Sequence, residues 1–119
     1  MARSKRVLFD EDEQLVSQLC HAMSHPARVR IISKLVNGEA QAYSLLIAGI
    51  PLDERTCMQH ISLLERLQFL KPALLHTKRG GYRLNLQLFR ACSMASRRML
   101  RVDGTVRSIT NLEESEEVG

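Results

Sequence analysis

Asp53-Glu54-Arg55-Thr56-Cys57-Met58-Gln59-His60-Ile61-Ser62-Leu63-Leu64-Glu65-Arg66-Leu67, followed a short way on by Thr77-Lys78-Arg79-Gly80-Gly81, is the stretch that decides how this chain folds. Cys57, Ile61, Leu64 and Leu67 recur at helical spacing and form one apolar face, leaving Arg55, Met58, Gln59, Ser62 and Arg66 on or beside the other. Asp53 is suited to cap this helix, because its carboxylate can accept a hydrogen bond from an unpaired first-turn N–H. The basic turn that follows carries two glycines able to take the positive dihedrals of a tight hairpin, with strands expected over 71–76 and 82–86. A capped helix with small polar residues on its early outward face, next to a basic hairpin, suits entry into a DNA major groove with the backbone gripped alongside.

Before this helix, Gly49-Ile50-Pro51-Leu52 reads as a turn preceded by a short helix over 42–48, which together with the decisive helix makes a helix-turn-helix. Further upstream, Ser24-His25-Pro26 interrupts the chain, and Pro26 suits a first helical turn. The apolar stripe expected from there is Val29, Ile32, Leu35 and Val36, ended by Asn37-Gly38. An acidic cluster, Asp10-Glu11-Asp12-Glu13, is placed for the positive end of a first helix carrying Leu15, Val16, Leu19 and Met23. After the hairpin, 88–110 carries Phe89, Cys92, Met99, Leu100 and Val106 among its apolar residues, with Gly104 a potential break. The expected fold is mainly α with a small β-hairpin, a winged helix-turn-helix. It is organised as an N-terminal arm (1–12), a DNA-binding and dimerisation domain (13–110) and an acidic disordered tail (111–119).

Composition narrows the function. A chain of 119 residues fits one domain with its own core. Aromatic residues are only 4% and Trp is absent, which disfavours a stacking platform for single strands and leaves double-stranded DNA as the better nucleic-acid partner. The formal charge is +4, but residues 53–101 hold ten basic and three acidic side chains, a net +7 on the segment that carries the candidate reading helix. Phosphate attraction is thereby focused where base contacts could form. No apolar run approaches the roughly 20 residues of a membrane span, and the basic N-terminus is not followed by an apolar signal core, so a cytoplasmic protein is expected. Three widely spaced cysteines do not form a secreted disulfide framework. No nucleophile sits beside an apparent base, and no glycine-rich phosphate loop follows a strand, so neither a catalytic residue nor a cofactor is expected.

Three separated segments resemble the ArsR/SmtB family of winged-helix regulators. Met23-Ser24-His25-Pro26-Ala27-Arg28-Val29-Arg30-Ile31-Ile32 is similar to the family's "LSHPxRlxIL" segment, Thr56-Cys57-Met58-Gln59-His60-Ile61-Ser62-Leu63-Leu64 to its "TVSQHLxxL" reading helix, and Tyr82-Arg83-Leu84-Asn85 to its "YxLN" strand. The match runs in order over about residues 15–90. The resemblance implies a homodimer paired through its first and last helices, binding an imperfect palindrome, with two copies of the reading helix about 34 Å apart. It places Thr56, Met58, Gln59, His60 and Ser62 where the family reads DNA. Gln59 can pair both edges of an adenine, Thr56 and Ser62 can bond phosphate or base, and Arg55 can reach phosphate or guanine. Met58 stands where the family usually has Ser and can meet a thymine methyl. His60 either contacts DNA or orients its helix by a backbone hydrogen bond. Lys78 and Arg79 grip phosphate or form a solvated turn. Arg28 and Arg30 are expected to face backbone, and Tyr82 to join the core with a wet hydroxyl.

The two metal-binding patterns best known in that family, a Cys-x-Cys near the third helix and an Asp-x-His…His-x-x-Glu set on the last helix, are absent, so no metal site is assigned. Cys57 lies in the apolar stripe and reads as a core thiol. Cys20 and Cys92, on the helices expected to pair, form a candidate thiol switch that could link by oxidation or hold a soft ion with His21; otherwise they are inert small hydrophobes. The effector itself is not legible. The leading expectation is a dimeric, sequence-specific DNA-binding repressor, released by a thiol, redox or soft-metal signal. The alternative is a winged-helix interaction module whose basic face meets an acidic partner, with Met58 exposed as an anchor.

Overall fold

In the computed structural model, which describes residues 8–100, the acidic run does cap the first helix. Ahead of α1 (Glu11–Ala22), Asp10 Oδ1 accepts from the Glu13 N–H at 2.8 Å, and Glu13 Oε1 accepts from the Asp10 N–H at 3.0 Å. This reciprocal pair satisfies donors that a helix start leaves open. Pro26 occupies the first turn of α2 (Pro26–Ser33), where its missing N–H costs nothing, and His25 Nδ1 caps the helix by accepting from the Ala27 N–H at 3.0 Å.

The buried face of α2 and the turn after it is Ala27, Arg28, Ile31, Ile32 and Leu35, whereas Val29 and Val36 are exposed. The expected stripe was rotated because Arg28, a residue that hydrophobicity sends outward, points inward and takes the place at which a helix-period count would start.

Next come β1 (Gln41–Ala42), α3 (Tyr43–Ile47) and α4 (Glu54–Arg66). Asp53 caps α4, its Oδ1 accepting from the Thr56 N–H at 2.7 Å. At the other end the Phe69 N–H reaches Leu64 O and the Gln68 N–H reaches Glu65 O, both at 3.0 Å, with Gln68 at φ +72° in the left-handed position glycine usually fills. The hairpin follows as β2 (Leu70–Ala73) and β3 (Gly81–Leu84). It is shorter than expected, and β1 joins it to make an antiparallel sheet of order β1-β3-β2, with Gln41 opposite Tyr82 and Ala42 opposite Gly81. The two glycines have different work. Gly80 sits at φ +62°, but Gly81 has no positive φ; a Cβ there would run into the carbonyl oxygen of Gln41.

Asn85, expected inside a strand, instead starts α5 (Leu86–Leu100): its Oδ1 accepts from the Leu88 N–H at 3.2 Å and its carbonyl from the Phe89 N–H at 2.9 Å. The side chain's ability to cap a helix outweighs the strand pattern around it. The core gathers Phe69, Ile31, Ile32, Leu35, Leu46, Ile61, Leu64 and Leu84 between α2, α4 and the sheet. Alongside it, α1 lies on α5, and Arg98 clasps Asp12 with two bonds of 2.9 and 2.8 Å. The basic residues 3–6, Gly104, Val106 and the acidic tail lie outside the described residues.

Candidate nucleic-acid interface

The outward face of α4 is a polar stripe. Arg55, Gln59, Ser62 and Arg66 follow one another at spacings of four, three and four residues, and all four are exposed. Four anchors fix this helix in place. Cys57, Ile61 and Leu64 bury its inner face. Asp53 pins its start, and hydrogen bonds from Thr56 hold the Asp53 carboxyl below the usual carboxylate range; Thr56 itself is half-buried. Arg30 of α2 and Lys34 at its C-cap lock the preceding turn: Lys34 Nζ donates to the carbonyls of Leu45, Leu46 and Ala48 at 2.8, 3.0 and 2.9 Å, and Arg30 Nη1 donates to Gly49 O at 2.9 Å. A cation on the open carbonyls of a helix C-terminus is favourable. Burial, then the neighbouring Arg30, lowers the Lys34 pKa.

The fourth anchor is a buried polar hub. Arg28 is 8% exposed. Its Nε donates to Ala22 O at 3.0 Å, its Nη2 to Ser24 Oγ at 2.6 Å and His21 O at 3.3 Å, and its Nη1 to His60 Nδ1 at 2.9 Å. The guanidinium has no lone pair to offer, so Nδ1 accepts and His60 is held neutral with its proton on Nε2. Burial, then His25 and Arg28, lower the His60 pKa, and the His25 ring lies 4.3 Å away, tilted by 42°. His60 is thus tied to α2 through Arg28 and not through a backbone bond. One side chain connects the C-terminal turn of α1, the start of α2 and α4. Arg28 and Arg30 both face backbone carbonyls, as expected.

Met58, expected at the surface, is half-buried and packed against the core. An unbranched thioether at the edge of the apolar face is flexible enough to turn onto the core in this way. This removes the exposed anchor on which the interaction-module alternative leaned.

At the wing, Lys78 and Arg79 are exposed, but they are not equivalent. Arg79 Nη1 pairs with Glu54 Oε1 at 2.7 Å, and its guanidinium carbon lies 5.1 Å from the centre of the Tyr43 ring. Neither Glu54 nor Tyr43 drew attention in the sequence. The only trace of the pairing there was an acid and a base of opposite sign, twenty-five positions apart. Tyr82 is half-buried; burial, then the nearby Glu65, raises its hydroxyl pKa.

The thiols are not alike either. Cys20 is exposed on α1, whereas Cys92 is fully buried in α5, and burial pushes its pKa up, away from the reactive thiolate. Cys57 is buried and its pKa is raised in the same way. Among the described residues no group of three His, Cys, Asp or Glu side chains converges as a metal site, and no helix is long and apolar enough to cross a membrane.

No protein-family model matches the chain, and no curated protein matches it. Solved structures do. An ArsR-like transcriptional regulator from Rhodococcus sp. RHA1 superposes with a TM-score of 0.58 at 14% identity, over 90% of this chain and 94% of that one. The transcriptional repressor BigR from Xylella fastidiosa gives a TM-score of 0.58 at 19% identity, over 84% of this chain and 99% of that one. The chain has the winged helix-turn-helix fold of these regulators.

Proposed function

We propose that this protein is a DNA-binding transcriptional regulator, and more finely a homodimeric repressor that reads an imperfect palindrome. The observation that carries this reading is the exposed stripe Arg55, Gln59, Ser62 and Arg66 on a helix held rigidly at both ends and from behind, in a fold shared with a regulator and a repressor. Base edges are read by side chains that are free to reach them on a helix that is not. Arg55 and Gln59 take the base-reading roles; Ser62 and Lys78 take phosphate. Thr56, Met58 and His60 act from behind, shaping and orienting the helix through Asp53, the core and Arg28.

Dimerisation through α1 and α5 is supported by what α5 leaves uncovered. Met94, Met99 and Leu100 are exposed on it, and Phe9 is exposed just before α1. Large apolar side chains left exposed along α5 would gain cover from a second copy, which would set the two α4 helices on successive major-groove faces. A thiol signal acts through Cys20, the one exposed thiol among the described residues.

Selection of binding sites from a random-sequence duplex pool by the purified protein tests the reading. The expected product is a two-fold-related pair of half-sites about one helical turn apart; enrichment of no sequence overturns it.

A further inference from the structure

Between α3, the first turn of α4 and the wing lies a cavity of about 360 Å³ lined by Tyr43, Ser44, Glu54, Lys78 and Arg79 among others. Tyr43 is only 4% exposed, and its hydroxyl is buried with no partner in good hydrogen-bond geometry; burial raises its pKa, and the nearby Arg79 guanidinium only partly opposes that rise. A buried hydroxyl without a partner is costly, and native structures rarely keep one without a use. Arg79 lies over the Tyr43 ring, its guanidinium carbon 5.1 Å from the ring centre, and is tied to Glu54 at 2.7 Å. That tie is exposed: the Arg79 and Glu54 side chains retain 52% and 58% of their accessible surface, so solvent screens the pair and another anion can displace the carboxylate.

Resting on the DNA-binding reading above, we propose that this cavity seats one backbone phosphate of the bound duplex, received by the Tyr43 hydroxyl and by Arg79 once Arg79 exchanges Glu54 for the phosphodiester. Ser44, exposed on the rim, and Lys78 at the wing tip complete a donor set suited to phosphate oxygens. Thr77 is excluded from it, since its hydroxyl already donates to Gly80 O at 2.8 Å. Glu54 is the one group in the cavity that opposes an anion. In the free protein its carboxylate occupies the guanidinium as the phosphate will, which makes Glu54 a built-in competitor that tunes affinity downward. Its displacement frees Arg79 for the phosphate.

Three variants, Tyr43→Phe, Glu54→Gln and Glu54→Gln with Arg79→Gln, test this by fluorescence anisotropy on a random-sequence duplex of about 30 base pairs, three helical turns, across salt, alongside thermal melts. Tyr43→Phe is expected to melt no lower than the parent, because it removes an unpartnered hydroxyl, and yet to bind the duplex about fivefold more weakly, the scale of one hydrogen bond. Glu54→Gln is expected to bind more tightly, with a salt dependence steeper by about one released counterion, and the added Arg79→Gln to return that slope to the parent's. Parental affinity in Tyr43→Phe, or an unchanged slope in Glu54→Gln, overturns the phosphate seat while leaving the regulator reading standing. A parent protein that does not bind duplex at all overturns both.

Discussion

Replacing Arg28 by Met keeps most of the aliphatic volume and removes only the guanidinium. The structure sets the consequence. Ala22 O and His60 Nδ1 lose the donors now 3.0 and 2.9 Å away, and Ser24 Oγ and His21 O lose theirs. Ser24 and His21 are exposed and can turn to water, so they contribute little. The carbonyl of the buried Ala22 and the inward ring nitrogen of His60 are left unpaired, at about 1–3 kcal/mol each. The expected loss is about 3 kcal/mol, a large share of the roughly 5–15 kcal/mol that holds a domain together. Thermal and urea unfolding followed by circular dichroism, at one fixed protein concentration because the proposed self-association would add to apparent stability, should show a midpoint lowered by more than about 10 °C. The same substitution made in a His60→Leu background should cost about 1 kcal/mol less, because one of the orphaned acceptors is already gone. A loss below about 1 kcal/mol in the parent background, or full additivity with His60→Leu, would refute the hub as the link between α1 and the reading helix.

Two further outcomes follow from the same structure. His60 takes up its proton at a lower pH folded than unfolded, so between its lowered value and the ordinary histidine value of about 6.5 the unfolded chain binds more protons; its contribution to stability should be complete above that ordinary value and decline as pH falls below it, a decline that urea titrations should find reduced in His60→Gln. Gly81→Ala should cost about 1–3 kcal/mol, since its new methyl meets backbone of β1 that cannot yield, whereas placing the same methyl in open space at Gly49 should cost only the strain of φ +79°; chemical denaturation of the two variants compares them directly.

Much of the fold was legible because the signals were local. The Asp10 and Asp53 caps, the Pro26 start and the apolar face of α4 each depend on residues within a turn or two of one another. Asn85 was local too, but its strand-like neighbours outvoted a capping preference. The β1 strand escaped because two residues carry no period, and Gly81 was assigned the wrong reason because a dihedral and a close contact both select glycine. At the site, the exposed stripe on α4 followed from helical spacing. Arg28 with His60, Arg79 with Glu54, and the stranded Tyr43 hydroxyl did not, since each joins positions that only the tertiary fold brings together. Met58 was misplaced for a related reason: a flexible side chain at the edge of an amphipathic face turns inward or outward according to the gap beside it, and the gap is not written in the sequence.

The central claim is that α4 reads base sequence and does more than attract phosphate. Fluorescence anisotropy of the purified protein on the DNA upstream of its own coding sequence, against a scrambled duplex of equal length and across salt, tests it most directly. The account predicts tighter binding to the upstream duplex at near-physiological salt, by about a thousandfold or more, with Gln59→Ala eroding the difference. Equal, steeply salt-dependent binding to both duplexes would contradict it, leaving a basic surface without a code.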